Sequence, residues 1–338
     1  MENRSQFNWC FIGAGTLANI VAKEILSSGR HRIAAVYTRN NQKCRDFAEK
    51  YGGMVYDSAK AAICAPNVNG VYIVTPHTSH YQYAKLALSL GKPVLCEKPI
   101  TVAAPEAEEL FALAKEKGVY LAEAMWTWFS PIAQKVKQWC DAGELGDLSH
   151  AETRYHIDSR KYAARCTDPT LAGGALLDVG IYPITYLYRL FGNPIEIRCT
   201  GWLEGGIDLC EDVVMTFSNG LTCTASISMC DFKGLEKVYL DGSKGRIKYY
   251  FFHAAKRVKL VRKNGKSEVF KGNGSYLNEF DIVAGDIRRG CTQSSLVPSG
   301  ATIDVMKILD ECRRQLGLVY PFENSQTNPA HCATQDER

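Results

Sequence analysis

No two of the 13 cysteines in this 338-residue chain stand in a Cys-x-x-Cys arrangement, and their number is odd. Zinc sites and dithiol redox motifs depend on close pairs, so neither is expected and no metal is assigned. Scattered thiols of this kind read as reduced, buried small hydrophobes in a reducing compartment. An excess of one charge is also missing: 40 Lys and Arg stand against 36 Asp and Glu, a formal net charge of +4. That balance gives no general attraction to nucleic acid or to a membrane surface. No run approaches the roughly 18 apolar residues of a membrane-spanning helix. Residues 1–8 are polar and leave no apolar stretch for a signal peptide, so a cytoplasmic location is expected. Internal repeats and low-complexity segments are lacking too.

What is present is an ordinary globular composition, 46% hydrophobic and 22% charged, in a chain long enough for two domains. In the first third, short apolar runs begin at Trp9, Arg32, Gly70, Pro93 and Val119. Helical patterns separate them over 17–28, 42–51, 80–90 and 106–117. Continuously apolar strands alternating with helices indicate a parallel sheet covered on both faces, and right-handed crossovers make it doubly wound. After about residue 125 the pattern changes. Helices are expected over 131–140 and 182–191, then strands from Glu196 onward, with Asn219-Gly220 and Asn264-Gly265 as hairpin turns. A late helix covers 301–316. The expected class is α/β: a Rossmann domain over 1–124, then an α+β domain over 125–323 with a large, mostly antiparallel open sheet. Residues 324–338 form a polar tail, expected to fray.

Gly13-Ala14-Gly15-Thr16-Leu17-Ala18 follows the first strand and opens the first helix. The first glycine permits a tight turn, the second lets a pyrophosphate approach the backbone, and Ala18 allows close helix–sheet packing. The pyrophosphate then rests on the helix N-terminus, at Gly15, Thr16 and Leu17. The end of the second strand has no Asp or Glu to hold a ribose 2′-hydroxyl. It carries Thr38 and Arg39, with Lys43 nearby. Either these cations hold a 2′-phosphate, which points to NADP with NAD as the alternative, or they belong to a solvated loop.

Three further stretches carry a resemblance: Glu97-Lys98-Pro99 preceded by Gly91-Lys92-Pro93; Glu123-Ala124-Met125-Trp126; and Gly173-Gly174-Ala175-Leu176-Leu177-Asp178-Val179-Gly180-Ile181-Tyr182. With the glycine fingerprint, the chain resembles the Gfo/Idh/MocA oxidoreductase family from about residue 8 to residue 322, nearest the dihydrodiol dehydrogenase and glucose–fructose oxidoreductase branch. The resemblance implies a Rossmann domain followed by a mostly antiparallel sheet, whose open face pairs two subunits into a homodimer. It implies hydride transfer between NADP(H) and an aldose, keto-sugar or vicinal diol.

By the same resemblance Lys98 reaches the substrate oxygen and Tyr182 donates or accepts the proton, and Glu97 lies by the cofactor. A free tyrosine, at about pKa 10, is too weak a base at neutral pH, and a neighbouring Lys98 ammonium is expected to lower it. Asp178, four residues before Tyr182, either orients Lys98, binds a substrate hydroxyl or caps a helix. Pro76, His77 and His80 follow the third buried strand, either beside the nicotinamide ribose or as loop structure. Trp126, Trp128 and Phe129 form a pocket wall or an interdomain core. The branch pattern W-T-R-F reads Trp126-Thr127-Trp128-Phe129 here, without the arginine. Arg154, Arg160, Lys161 and Arg165 precede the glycines and either line the cleft entrance or form a solvated face, the second being the safer reading. Two other functions fit the same motifs: a non-catalytic dinucleotide sensor, and a sugar–sugar oxidoreductase with permanently bound NADP.

Overall fold

Residues 6–161, 164–231 and 235–325 are described in a computed structural model of the chain. In the first part the elements are β1 (Phe7–Ile12), α1 (Thr16–Ser27), β2 (His31–Tyr37), α2 (Asn41–Tyr51), β3 (Met54–Val55), α3 (Ala59–Ile63), β4 (Gly70–Ile73), α4 (His80–Ser89), β5 (Val94–Glu97), α5 (Ala104–Lys117) and β6 (Leu121–Ala124). The strands form one parallel sheet in the order β3-β2-β1-β4-β5-β6. Strands β4, β5 and β6 are buried at every residue, as a sheet covered on both faces requires. Strand order reverses between β1 and β4, which opens a crevice beyond their C-terminal ends. Gly70 has a packing reason: a Cβ there would lie 3.0 Å from the Trp9 ring and 3.1 Å from that of Phe7.

The second part comprises α6 (Pro131–Asp141), β7 (Leu148–His156), α7 (Ile181–Phe191), β8 (Glu196–Glu204), β9 (Ile207–Thr216), β10 (Thr222–Ser228), β11 (Lys237–Gly242), β12 (Gly245–Tyr250), β13 (Arg257–Arg262), β14 (Ser267–Lys271), α8 (Tyr276–Arg288), α9 (Ser299–Leu316) and α10 (Pro321–Ser325). Its eight-stranded sheet runs β14-β13-β12-β11-β7-β10-β9-β8. All neighbours are antiparallel except β7 and β10. Helix α7 packs on β7 and β10, α6 on β13 and β14, and α9 on β8. Strand β12 alternates buried and exposed residues one by one, the mark of a sheet covered on one face. Asn219-Gly220 and Asn264-Gly265 make the turns β9–β10 and β13–β14, with Gly220 and Gly265 at φ 81° and 83°.

Two elements depart from the sequence pattern. Strand β7 sits in the middle of the second sheet, yet its buried face offers only Ala151, Thr153 and Tyr155 while Glu152, Arg154 and His156 lie between them. That alternation lacks the aliphatic signal of a central strand. Helix α8 is interrupted in pattern by Gly285 and Asp286, but Phe280, Val283 and Ala284 are buried. It lies against α1, with the Phe280 ring edge-on to Trp9 and Tyr72, each at 4.9 Å. Arg30 grips Asp281 through two hydrogen bonds of 2.9 and 2.7 Å, and His31 Nε2 stands 3.0 Å from the same carboxylate. Helix α9 packs on α5, so both late helices return to the first sheet's layer.

Among the described residues one helical stretch, Pro169–Phe191, is long and apolar enough to cross a membrane, with mean hydropathy 1.2. Its apolar window is 83% buried inside the protein, so it serves as a core helix. The frayed tail expected over 324–338 lies, from 326 on, outside the described residues. The cysteines among the described residues are all free thiols.

Phe280 is fully buried and joins α8 to the first sheet. Phe280→Ala should lower unfolding stability by about 3–5 kcal/mol, read from urea denaturation.

Candidate active site

A cleft of about 710 Å³ opens at the C-terminal ends of β1, β2, β4 and β5. At its floor Gly13 has φ 113°, and a Cβ there would lie 2.6 Å from the Val74 carbonyl oxygen, so only glycine fits. At Gly15, which caps α1, a Cβ would meet nothing within 4 Å: the backbone is open to the cleft. No acid stands in the first turn of α1, and Thr16 and Leu17 line the cleft there. Unpaired N–H groups at a helix start, reached over bare glycine backbone, are an anion cradle.

Thr38, Arg39 and Lys43 line another part of the same cleft, and both cations are exposed. Asn40 caps α2 by accepting a 3.0 Å hydrogen bond from the Lys43 N–H. The first turn of α2 holds no acid either, so helix and side chains present positive potential together. The cradle at Gly13 and Gly15 and the cations at Arg39 and Lys43 fit a dinucleotide with a phosphate on its ribose.

Pro76, His77, His80, Glu97 and Lys98 line the cleft further along, with Asp178 and Tyr182 facing them. Asp178 lies in a widened helical turn, Leu176–Gly180, that runs into α7. In that five-residue pattern the residue placed to donate to the Asp178 carbonyl is Pro183, which has no N–H. The Lys98 ammonium donates there instead and also stands 3.3 Å from the Asp178 carboxylate. Lys98 Nζ lies 4.7 Å from the centroid of the Tyr182 ring. Arg165 donates to the same carboxylate oxygen from both terminal nitrogens at 3.2 Å, and Cys166 Sγ is 3.3 Å from the other oxygen. Burial alone would raise the Asp178 carboxyl, but the charges of Lys98 and Arg165 hold it below the usual carboxylate range.

His77 is buried, with Nδ1 3.3 Å from the Ala172 carbonyl and Nε2 3.9 Å from Asp178. Burial, then the Arg165 charge, pulls its pKa well down, so the ring is neutral. His80 stands between the Pro99 and Thr75 carbonyls at 2.7 and 2.9 Å and ties together the two loops that bear Pro76 and Lys98. Burial lowers it to about 4, so at neutral pH one ring nitrogen faces a carbonyl without donating.

Tyr182 departs from expectation in its acidity. Burial first, then the charges of Glu97 and Asp178, raises its pKa well above that of free tyrosine, against the hydrogen bond it accepts from the Trp126 indole N–H at 3.3 Å. Lys98 does not reverse this, because its ammonium lies over the ring and is committed to Asp178. As it stands, the Tyr182 phenol keeps its proton at neutral pH.

Trp126 stacks on Tyr276 at 4.5 Å. Trp128 and Phe129 turn elsewhere. Trp128 is buried against Tyr186 and under the Arg189 guanidinium, and Phe129 is buried in the core; none of the three, Trp126 included, is among the residues lining the cleft. Tyr155 and Tyr276, absent from the sequence reading, do line it, as does Arg165, for which the sequence leaves the entrance and a solvated face open. Tyr155 stands on β7 and Tyr276 opens α8, two of the elements the pattern leaves out. Arg154 and Arg160 pair locally with Glu152 and Asp158, outside the cleft.

Comparison with known proteins meets this geometry from the other side. Residues 7–125 match the description "Oxidoreductase family, NAD-binding Rossmann fold", and residues 133–248 match "GFO/IDH/MocA C-terminal domain". A trans-1,2-dihydrobenzene-1,2-diol dehydrogenase of Mus musculus is 31% identical over 331 residues, covering 93% of this chain and 98% of the relative. The chain belongs to the Gfo/Idh/MocA oxidoreductase family. A D-xylose 1-dehydrogenase (NADP(+)) of Hypocrea jecorina is 30% identical, with 94% of each chain covered. Among solved structures, a 3-ketoreductase from Actinomadura kijaniata in complex with NADP and TDP-benzene has TM-score 0.82 at 23% identity, covering 92% of this chain and 98% of the other. An aldose–aldose oxidoreductase from Caulobacter crescentus also reaches 0.82 at 19% identity, covering 92% and 97%. The two solved structures share the fold with this Gfo/Idh/MocA oxidoreductase.

Behind the lysine, Glu123 at the end of β6 accepts from the Ile100 N–H at 3.1 Å and from the Thr302 hydroxyl at 3.3 Å. Burial raises it to about 7 from an ordinary 4.5. A carboxyl raised on folding stabilises below its unfolded pKa, and that contribution is lost as pH rises through the folded value. In this family member Glu123→Gln keeps both contacts, so the stability difference between wild type and variant should shift in the variant's favour between pH about 4.5 and about 7. Urea denaturation across that window tests it, and a flat difference contradicts it.

Proposed function

We propose that this oxidoreductase transfers a hydride between NADP(H) and a polyhydroxylated small molecule, an aldose, keto-sugar or vicinal trans-dihydrodiol, with Tyr182 and Lys98 moving the proton. The observation that carries it is the Lys98 ammonium, pinned between the Asp178 carboxylate and the Tyr182 ring inside the dinucleotide cleft. The mouse and Hypocrea relatives, named for a dihydrodiol and for D-xylose with NADP(+), support the substrate class and the cofactor.

Gly13, Gly15, Thr16 and Leu17 would hold the pyrophosphate. Thr38, Arg39 and Lys43 would hold the 2′-phosphate, with Pro76, His77, His80, Glu97 and Lys98 toward the nicotinamide. The cofactor supplies or accepts the hydride and, when oxidised, brings a positive charge. Tyr182 Oη donates its proton to the carbonyl oxygen in reduction, and takes a hydroxyl proton in oxidation. Lys98 holds the substrate oxygen near the phenol. Asp178, itself held by Arg165, fixes the ammonium so that it does not swing away. Trp126 fixes the phenol oxygen through its indole N–H.

The same reading extends to a homodimer formed on the uncovered face of the eight-stranded sheet, where Trp202 and Tyr250 are exposed. It also takes the location to be cytoplasmic and the chain to divide near residues 124 and 125.

Two measurements test it. Tyr182→Phe and Lys98→Met should each lower kcat on D-xylose or trans-1,2-dihydrobenzene-1,2-diol by roughly 10²–10⁴-fold while NADPH still binds, as read by nicotinamide fluorescence. Unchanged turnover would remove the pair from the reaction, and NADPH binding with no turnover in the wild type would favour a dinucleotide sensor. In the same titration Arg39→Asp should weaken NADPH at least about tenfold and leave NADH little affected; indifference would make Arg39 a surface charge.

A further inference from the structure

The helical stretch that carries Asp178 and Tyr182 starts without a cap of its own. Ala172-Gly173-Gly174-Ala175 precede it, and none of these side chains holds an oxygen. A helix start leaves backbone N–H groups unpaired, and inside a protein each needs an acceptor. Here the acceptor comes from the second sheet: the Asp208 carboxylate, on β9, takes the Leu176 N–H. Gly174 makes that approach possible. Its φ is 127°, and a Cβ there would lie 2.8 Å from the Asp208 carboxyl carbon. Gly173 is as tightly placed: its carbonyl accepts from the Tyr320 hydroxyl at 3.1 Å, and a Cβ would come within 2.7 Å of the Cys166 carbonyl oxygen.

Asp208 is aimed by an irregularity in its strand. The register of β9 against β8 shifts at Leu209, where Leu203 pairs with Asp208 and Trp202 with Cys210. Such a shift re-aims a side chain, and here Asp208 is fully buried within reach of Glu211, itself buried. Neither Glu211 oxygen meets an N–H or O–H of another described residue. Glu211 therefore keeps its own proton: burial first, then the Asp208 charge, pushes its pKa well above the ordinary carboxyl value. That proton is given to Asp208 as a hydrogen bond, and the Arg313 charge also favours the Asp208 anion. The result is one buried carboxylate at a helix N-terminus, where the dipole favours negative charge. Packing alone would be met by aliphatic side chains, as at Val213 and Met215 further along the strand.

We infer that Asp208, backed by Glu211, is a positioning residue for the proton transfer: by holding the Leu176 N–H it sets the widened turn Leu176–Gly180, and through that turn the Asp178 groups that fix Lys98. The proposal rests on the hydride-transfer reading above for what the turn is used for. Asp178 follows Leu176 by one residue in between, and its carbonyl and carboxylate both meet the Lys98 ammonium. Tyr182 lies one helical turn further on. Without the Asp208 acceptor the start of the turn is preceded only by Gly173 and Gly174, which resist little. The lysine would then lose its fixed seat, and a displacement of about 1 Å at such a site can cost on the order of 100-fold in rate.

The test compares wild type, Asp208→Ala and Asp208→Asn on D-xylose and trans-1,2-dihydrobenzene-1,2-diol with NADP, counting active sites by NADPH fluorescence. In Asp208→Ala, kcat per NADPH-binding site should fall roughly 10²-fold with the NADPH affinity unchanged. Asp208→Asn keeps the acceptor for Leu176 and turns its amide toward an ionised Glu211, so kcat should stay within about threefold of wild type. If the alanine variant does not fold, Asp208→Ser, with an oxygen too short to reach, makes the same comparison. A lowered Tm with kcat per site unchanged, or an asparagine variant as slow as alanine, overturns the inference and makes the pair a folding cap. A second readout needs no turnover: reductive methylation with formaldehyde and cyanoborohydride, read at Lys98 by mass spectrometry. Labelling of Lys98 should rise at least about threefold in Asp208→Ala and not in Asp208→Asn; equal labelling overturns the inference. A rise at Lys98 in a protein whose wild type turns over neither substrate overturns the hydride-transfer reading and leaves the positioning role standing.

Discussion

The site depends on one buried ion pair. Lys98 and Asp178 are each 8% exposed, and taking an ammonium and a carboxylate out of water costs several kcal/mol per ion unless geometry and extra hydrogen bonds compensate. Compensation is spread over the chain: the Asp178 carbonyl, the Arg165 guanidinium, the Cys166 thiol and the face of Tyr182. Lys98 comes from the end of the first sheet, and its partners come from Asp178, just before α7, and Tyr182, in the first turn of α7. The pair therefore holds the two halves of the site in register, and removing either charge strands the other in a dry place.

Much of the fold can be read from the sequence because its strongest signals are local. Runs such as 70–76 are apolar throughout, and only a doubly covered strand or a core helix accepts that. Glycine at 13, 220 and 265 takes positive φ, which few other residues tolerate, so those turns announce themselves. Strand β7 and helix α8 are not readable in the same way. One has a half-open environment that permits Glu152 and Arg154 mid-strand, and the other acquires its apolar partners, Trp9 and Tyr72, from far along the chain.

The dinucleotide half of the site is legible for the same reason, since a phosphate needs bare backbone and a helix start. The substrate half is not. Tyr155 and Tyr276 sit on unread elements, β7 and α8, and neighbouring residues in the 126–129 run diverge, Trp126 to the Tyr182 hydroxyl and Trp128 to Arg189. The acidity of Tyr182 is likewise invisible to proximity arguments. Lys98 is close, but its charge is already engaged, and burial beside Glu97 and Asp178 decides the direction.

Helix α8 imposes an order in time. Trp9 and Tyr72 belong to the first strands made, yet the ring that seals them is Phe280. At about 5–20 residues per second, synthesis leaves that apolar face open to the cell on the order of ten seconds after Ala124 has been added. During that interval the nucleotide-binding sheet is a sticky nascent surface, a target for chaperones and for neighbouring chains on the same message.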